Sequence, residues 1–315
     1  MGKLAFVFPG QGSQAVGMGR DLHEGFAEAR AVFEAVDAAL GEKLSALCFE
    51  GPDESLRLTA NTQPAILAVS AAAAAVLAAR GVRPDLVAGH SLGEYSALVA
   101  AGACGAADAA RAVRARGTFM QEAVPAGQGA MSAVLGLEAE KVDALCAAVA
   151  ADTGEVVAPA NYNDPAQTVI AGTAGAVAKA AVRLKEAGAK KIVPLPVSAP
   201  FHCKLMQPVR VRLEPVLRAI PWRAPAVPVV TNVEGKPNAD VARIVPLLLE
   251  QVTAPVRWIA CVEELARQGV TQVVEVGPGK VLGRLVARIA PGLEVHQVED
   301  RASLEKTLAA LGRGA

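Results

Sequence analysis

The sequence has few cysteines, and no two of them lie close together. Its 315 residues include only five, at Cys48, Cys104, Cys146, Cys203 and Cys261. None are spaced as a CxxC or zinc-binding pair, and the odd number argues against a disulfide framework. We therefore expect reduced, mostly buried thiols and no metal site.

An excess of charge of one sign is also missing. Lys plus Arg and Asp plus Glu number 31 each, so the global charge predicts no nucleic-acid partner. The most apolar stretch, residues 65–79, is rich in alanine and is followed by Arg80 and Gly81, which is typical of a packed helix and not of a membrane span. The apolar run after Met1 stops at Pro9, too early for a signal peptide. These features predict a cytoplasmic globular protein.

Strand and helix signals alternate along most of the chain, which favours a parallel sheet covered by helices. Residues 61 and 62 are candidates to cap a helix that runs to about residue 80. Between about residues 130 and 197 the order becomes strand, helix, strand, strand, helix, strand, with a turn over residues 162–167, which is the ferredoxin-like pattern. We predict an α/β fold in which a large domain (residues 1–128 and 198–315) carries a ferredoxin-like subdomain (residues 129–197).

A candidate nucleophile lies in the segment GHSLG at residues 89–93. A strand is predicted before it and a helix after it, which is the context of a G-x-S-x-G nucleophile elbow. Ser91 would then project from the sheet edge, where the backbone N–H of Leu92 faces a developing oxyanion. The alternative is a glycine-rich turn whose serine only caps the helix.

A serine hydroxyl needs a base, and the chain has four histidines. His23 and His296 fit structural positions better, and His90 is fixed beside Ser91 and should point away from it. His202, in an apolar, proline-bounded loop after the predicted subdomain, is the remaining candidate for a general base. Its alternative role is to cap the helix that follows. No Asp or Glu stands out as the third member of a triad.

Seven short motifs, in order, resemble one family. They lie at residues 8–14 (FPGQGSQ), 61–65 (NTQPA), 89–95 (GHSLGEY), 116–121 (RGTFMQ), 200–202 (PFH), 251–256 (QVTAPV) and 275–279 (EVGPG). Over almost its whole length the chain resembles the malonyl-CoA:acyl carrier protein transacylases of fatty-acid and polyketide synthesis. The resemblance implies an α/β-hydrolase-like core, transfer through a malonyl-Ser91 intermediate, coenzyme A thioester as a substrate, and no cofactor.

The resemblance also implies roles for individual residues. Gln11 and Leu92 would supply the backbone N–H groups of the oxyanion hole. The backbone carbonyl of Gln251 would orient His202 in place of an acid, and Gln63 would support the site. Arg116 would bind the malonyl carboxylate through two charge-assisted hydrogen bonds. Without the family, spacing does not distinguish it from Arg111 or Arg114, and a solvated helix arginine is the alternative.

The second substrate implied by the resemblance is the phosphopantetheine thiol of an acidic acyl carrier protein. Lys190, Lys191, Arg284 and Arg288 are candidates for a local basic docking face, with ordinary solvated charges as the alternative. Nothing in the sequence indicates an obligate dimer, so we expect a monomer.

Three other functions compete with this prediction. Residues 10–15 fit a loose G-x-G-x-x-A nucleotide-binding pattern, although no acid lies convincingly at the required distance. A serine esterase would keep Ser91 and His202 but leave Arg116 without a role. A non-catalytic docking module would form no acyl-serine.

Overall fold

A computed structural model describes residues 2–125, 127–197 and 199–312. Its strands are β1 Lys3–Phe8, β2 Leu86–Gly89, β3 Gly129–Leu135, β4 Val157–Asp164, β5 Gln167–Thr173, β6 Lys191–Pro194, β7 Val229–Val230, β8 Pro237–Asn238, β9 Val270–Val276 and β10 Glu294–Val298. Its helices are α1 Arg20–Gly25, α2 Ala27–Leu40, α3 Leu44–Glu50, α4 Asp53–Leu56, α5 Thr59–Ala79, α6 Gly93–Ala100, α7 Ala106–Glu122, α8 Ala139–Thr153, α9 Ala174–Glu186, α10 Gln207–Arg218, α11 Val241–Gln251, α12 Trp258–Arg267, α13 Val281–Ile289 and α14 Arg301–Ala310.

The larger sheet has six strands in the order β10-β9-β1-β2-β7-β8. All neighbours in it pair in parallel except β7 and β8. β1 and β2 are almost entirely apolar and buried, as expected for strands covered by helices on both faces. The carboxyl ends of β1 and β2 therefore meet at one edge, where ligands bind in open parallel sheets.

The smaller sheet has four antiparallel strands in the order β4-β5-β3-β6. With α8 and α9 it forms the predicted βαββαβ unit, and its own apolar cluster lies between sheet and helices. The predicted fold class is thus confirmed: α/β, with a parallel-containing sheet and a second, antiparallel sheet. The turn between β4 and β5 is shorter than predicted, because β4 continues to Asp164 and β5 begins at Gln167.

The helix α5 begins earlier than the sequence predicts. The predicted cap at Asn61 and Thr62 is wrong, since the helix starts at Thr59. Thr62 instead donates its hydroxyl to the backbone carbonyl of Leu56 at 2.6 Å. The most apolar 18-residue window of α5 is 78% buried inside the protein, so α5 packs as a core helix.

Strand β4 connects the two sheets. Its residues 160 and 162 exchange backbone hydrogen bonds of 2.8 and 2.9 Å with Val256, in the segment before α12. At the end of β4 the buried carboxylate of Asp164 pairs with Arg288 of α13 at 2.9 Å. The division into domains at residues 128/129 and 197/198 stays a prediction; Ser198 and the outermost predicted residues, Met1 and 313–315, lie outside the described residues.

The five cysteines are buried and unpaired, as predicted. Burial is the largest cause of a raised pKa at each of them, about 12 at Cys48 and about 11 at Cys203. Thiols of this kind are inert packing groups. Across residues 2–125, 127–197 and 199–312, no three His, Cys, Asp or Glu side chains form a group able to hold a metal ion.

Candidate active site

The predicted nucleophile lies at a sharp turn between β2 and α6. Ser91 has a φ of +53°, a left-handed conformation that costs a residue with a β-carbon roughly 1–2 kcal/mol. The turn is tight because a β-carbon on Gly89 would lie 2.0 Å from the backbone of Gly93, and one on Gly93 would lie 2.1 Å from the carbonyl oxygen of Phe8. The sequence around Ser91 therefore builds a strained elbow that presents the hydroxyl.

The Ser91 hydroxyl is paired with the predicted base. Its Oγ lies 2.7 Å from Nε2 of His202, and Nδ1 of His202 lies 2.8 Å from the backbone carbonyl oxygen of Gln251. A carbonyl only accepts, so Nδ1 carries the proton and Nε2 has the lone pair that receives the serine proton. Neither residue is a simple helix cap, since α6 and α10 begin without a side-chain cap hydrogen bond.

The carbonyl that orients His202 comes from a helix terminus. Gln251 is the last residue of α11, and the carbonyls of a last turn have no partner within their helix. The negative end of the helix dipole also favours a positive charge on the imidazole as it accepts a proton. Nowhere in the described part of the chain does a carboxylate hydrogen-bond His202, so a helix end stands where a triad has its acid.

His202 is held in its neutral form. Burial, followed by the positive charge of Arg116, lowers the pKa of His202 to about 3. At neutral pH its Nε2 is therefore free to accept a proton. A substrate anion that neutralised Arg116 would remove part of that depression and make His202 more basic.

Arg116 is buried beside the nucleophile, with only 1% of its surface exposed. Its Nη1 donates to Oε1 of Gln63 at 2.8 Å, and its Nη2 donates to Oε1 of Gln251 at 2.9 Å and to Oγ of Ser91 at 3.1 Å. Within the described residues, its buried Nε has no hydrogen-bond partner. Nε and Nη2 lie on the guanidinium edge that binds carboxylates side-on, so that edge faces the nucleophile.

The neighbouring arginines of α7 point elsewhere. Arg111 forms an exposed ion pair with Asp108, and Arg114 pairs with Asn61 and Glu42. The structure thus separates Arg116 from the two arginines that spacing alone left as equals, and the solvated-helix alternative for Arg116 is wrong.

Two backbone N–H groups are free near Ser91. The N–H of Leu92 and the N–H of Gln11 have no acceptor among the described residues, and both residues line the cavity that contains Ser91. Leu92 immediately precedes α6, where N–H groups and the helix dipole favour negative charge. That these two groups stabilise an oxyanion stays a prediction.

Sequence reasoning gave no role to two further buried residues at the site, Asn232 and Glu94. Asn232 accepts the N–H of Ser91 at 2.7 Å and donates to the carbonyl of Gly89 at 2.6 Å, fixing both sides of the elbow. Oε2 of Glu94 accepts Nε2 of Gln251 at 2.9 Å and the N–H of Asn232 at 3.1 Å. The only signal for Glu94 was its place in the elbow motif, and Asn232 had none.

The Ser91 cavity is small, about 110 Å³, and both sheets contribute to its wall. The side of the larger sheet supplies the residues described above, with Met120 and Phe201. The smaller sheet and the segment after it supply Met131, Asn161, Leu195 and Val197. His90 turns away from Ser91 as predicted, with Nε2 2.8 Å from Oδ1 of Asn163 on β4. The cavity walls therefore depend on how the two sheets are joined.

The glycine-rich segment after β1 is not a nucleotide-binding turn. That fingerprint requires a helix to open directly from the glycines, whereas α1 begins only at Arg20. Gly10 instead packs against the elbow, where a β-carbon on it would lie 2.6 Å from the carbonyl oxygen of His90. The segment therefore packs against the elbow that presents Ser91.

The four predicted docking cations are exposed, but they line different surfaces. Lys190 and Lys191 border an apolar groove of about 820 Å³ between α9 and β6. Arg284 borders a separate cavity of about 580 Å³ near α14. Arg288 is paired with Asp164. A docking role for these residues stays a prediction.

Comparison with known proteins identifies the family of the chain. A family model for the acyl transferase domain matches residues 5–304. The malonyl CoA-acyl carrier protein transacylase of Bacillus subtilis is 46% identical over 311 residues, covering 99% of this chain and 98% of the relative. That of Salmonella typhimurium is 48% identical over 309 residues, covering 98% and 99%.

Two solved structures are similar throughout. An acyl carrier protein S-malonyltransferase from Vibrio cholerae superposes with a TM-score of 0.94 at 49% identity, covering 97% of this chain and 99% of that one. A malonyl-transacylase in complex with a type II polyketide-synthase acyl-carrier protein also gives a TM-score of 0.94, at 46% identity, covering 98% and 99%.

Proposed function

The chain belongs to the acyl transferase family, among the malonyl CoA-acyl carrier protein transacylases, and from that premise we propose that it moves a malonyl group from malonyl-CoA to the phosphopantetheine thiol of an acyl carrier protein. The proposal rests on one observation, which is that a base and a cation both contact the nucleophilic oxygen. Nε2 of His202 and Nη2 of Arg116 lie 2.7 and 3.1 Å from the same Oγ of Ser91.

The first half-reaction acylates the serine. His202 takes the proton of Ser91 as Oγ attacks the thioester carbonyl carbon, and the carbonyl oxygen becomes an oxyanion facing the N–H groups of Leu92 and Gln11. When the tetrahedral intermediate collapses, the carbon–sulfur bond breaks. The coenzyme A sulfur leaves with the proton that His202 held.

The second half-reaction reverses these roles. His202 removes the proton of the carrier-protein thiol, the thiolate attacks the malonyl ester, and Ser91 regains its proton. This is a ping-pong sequence through malonyl-Ser91 that uses the dyad twice. No step requires a metal or a bound cofactor.

Arg116 selects the acyl group. The malonyl carboxylate lies one methylene from the carbonyl under attack, and the Nε–Nη2 edge of Arg116 lies one hydrogen bond from the attacking oxygen. A carboxylate there gains the Nε–H, which has no partner among the described residues, and replaces the serine contact on Nη2. An acetyl group leaves the buried Nε–H unpaired. Because an unpaired buried donor is costly, the site should strongly favour malonyl over acetyl groups. Gln63 and Gln251 hold the guanidinium in place.

Intact-mass measurement with malonyl-CoA alone tests the proposal. We expect a malonyl adduct on the wild type that a holo carrier protein discharges and no adduct on Ser91→Ala. Ser96→Ala, a control that changes a buried serine on the helix after the elbow, should give a normal adduct. Free malonate without transfer would instead indicate a hydrolase. A wild type that stays bare, with malonyl-CoA unconsumed, would indicate a docking protein.

The carrier protein is acidic in the proposal, so the exposed basic residues named above are its docking candidates. Lys190→Glu, Lys191→Glu and Arg284→Glu should raise the KM for carrier protein and leave acylation by malonyl-CoA unchanged. Arg288 is a poorer test, because reversing its charge also leaves the buried Asp164 without its partner. KM values equal to that of wild type in all three variants would reject these residues as docking sites. We also propose that the protein acts in the cytoplasm as a monomer.

A further inference from the structure

Glu94 is a buried carboxyl group with no part in the two half-reactions. It lies in the first turn of α6, with 2% of its surface exposed. Ionised carboxylates are seldom buried this deeply unless an opposite charge compensates them. Glu94 faces the buried cation Arg116, and only one side chain lies between them.

That side chain is the amide of Gln251. Its Nε2 donates to Oε2 of Glu94 at 2.9 Å, while its Oε1 accepts Nη2 of Arg116 at 2.9 Å. The two contacts fix the amide in one orientation, with its donor toward the anion and its acceptor toward the cation. The same Nε2 lies 3.0 Å from the carbonyl oxygen of Ser91. Glu94 and Arg116 are thus opposite ends of one buried chain of hydrogen bonds at the nucleophile.

The arrival of a malonyl group changes the charge balance of this chain. In the empty site the Arg116 cation is balanced by the Glu94 anion. A bound malonyl carboxylate adds a second anion, so one cation would face two buried anions. Because buried charges interact strongly and are costly when uncompensated, protonating the anion that does not touch the substrate restores the balance.

We propose that Glu94 is the charge-balancing residue of the site: it is ionised when the cavity is empty and takes up one proton from solvent when a carboxylate binds Arg116. This inference rests on the proposed function and adds to it a coupling between acyl-group choice and pH. No covalent bond changes at Glu94; one solvent proton moves to its carboxylate.

The surroundings of Glu94 allow such a change near neutral pH. Burial raises the pKa of Glu94 to about 7, while Gln251, the Asn232 N–H and Arg116 hold it below what burial alone would give. Across the described ranges, the other titratable groups that interact with it are Tyr95 on its own helix and Cys261 on α12, and burial raises the pKa of both. They are therefore neutral, and Arg116 is the cation whose neutralisation Glu94 senses.

Calorimetry in buffers of different ionisation enthalpy measures the protons taken up on binding. The probes are malonyl-CoA and acetyl-CoA, titrated at pH 8 into Ser91→Ala, which binds without turnover. Both share every ionisable group of coenzyme A, so their difference isolates the carboxylate. A carboxyl group with a pKa of about 7 is roughly nine-tenths ionised at pH 8. The protein should therefore take up about half to nine-tenths of a proton more when it binds malonyl-CoA than when it binds acetyl-CoA.

The double variant Ser91→Ala/Glu94→Gln keeps the shape of the side chain and should abolish that difference. In wild type, the ratio of malonyl to acetyl loading should fall as pH rises above 7, by up to about tenfold per unit, and in Glu94→Gln it should be flat. Equal proton uptake for the two thioesters overturns the inference without any Glu94 variant. A missing malonyl adduct on wild type, with no binding of malonyl-CoA to Ser91→Ala, overturns the proposed function and this inference together.

Discussion

Replacing Arg116 with alanine should change which acyl group the protein accepts. The change removes the guanidinium edge that faces Ser91 and leaves a space where the malonyl carboxylate would lie. We expect malonyl loading to fall steeply while acetyl loading is kept or gained, because an acetyl group makes no use of that edge.

The size of the effect follows from the contacts of the guanidinium. A malonyl carboxylate gains one charge-assisted bond, worth about 1.5–3 kcal/mol, at Nε, which no group in the described part of the chain accepts from. It also replaces a neutral serine contact on Nη2 with a charged one, which adds about 1 kcal/mol. The sum of about 2.5–4 kcal/mol corresponds to about a hundredfold to a thousandfold in the ratio of malonyl to acetyl loading.

The quantity to measure is the ratio of the malonyl loading rate to the acetyl loading rate within each variant. Arg116→Ala also leaves Gln63 and Gln251 without a donor and Glu94 without its cation, so a loss of stability of about 3–5 kcal/mol is expected. A ratio of two loading rates on one preparation is insensitive to the fraction that folds. Intact mass after brief exposure to each thioester gives both rates.

Arg111→Ala is the matched control. Arg111 lies on the same helix and its exposed ion pair with Asp108 contributes little, so its ratio should equal that of wild type. If Arg116→Ala keeps the wild-type ratio, the assignment of Arg116 to the carboxylate is refuted.

Three further predictions concern the elbow and the base. Asn232→Ala removes the acceptor of the Ser91 N–H, so it should cost about 1–3 kcal/mol in denaturant unfolding and slow acylation by malonyl-CoA; unchanged values for both would contradict its role at the elbow. Gly93→Ala places a β-carbon 2.1 Å from the last carbonyl of β1 and should abolish loading, whereas Gly292→Ala, which meets nothing within 4 Å, should load normally. His202 has a native pKa of about 3, below its unfolded value of about 6.5. The unfolded state therefore binds more protons between these values. The free energy of unfolding should fall as pH drops below about 6.5, by about 2 kcal/mol at pH 5. In His202→Gln the free energy of unfolding should fall less over the same pH range.

The sequence was sufficient for the parts of the site that lie within one short segment. The glycines around Ser91 predict the elbow because close backbone approach is a local requirement. His202 is the candidate base because the other three of the four histidines fit that role less well and a loop is a normal place for a general base. The βαββαβ unit was also predictable, since each element is marked by its own periodicity and turns.

Contacts between distant segments were not predictable in the same way. Asn232 meets Ser91 across a sequence separation of 141 residues, from a loop after a strand of only two residues. Arg116 could not be told from Arg111 and Arg114 by spacing alone, because only the packing of α7 decides which arginine is buried. The start of α5 was misplaced because polar residues that favour caps here bond to the preceding segment.

The contacts that connect β4 to the rest of the fold bear on whether segments can be exchanged between related proteins. A chimera that exchanges residues 129–197 for those of a relative brings new cavity walls, and with them new acyl-group preferences. It would also have to match the apolar packing between the two sheets and three polar partners: the backbone of Val256, the ring of His90 and the guanidinium of Arg288. A donor segment that keeps Asn163 and Asp164 carries two of those three matches with it, and the third needs only backbone. A graft that keeps those two positions should therefore retain the polar contacts between the two sheets.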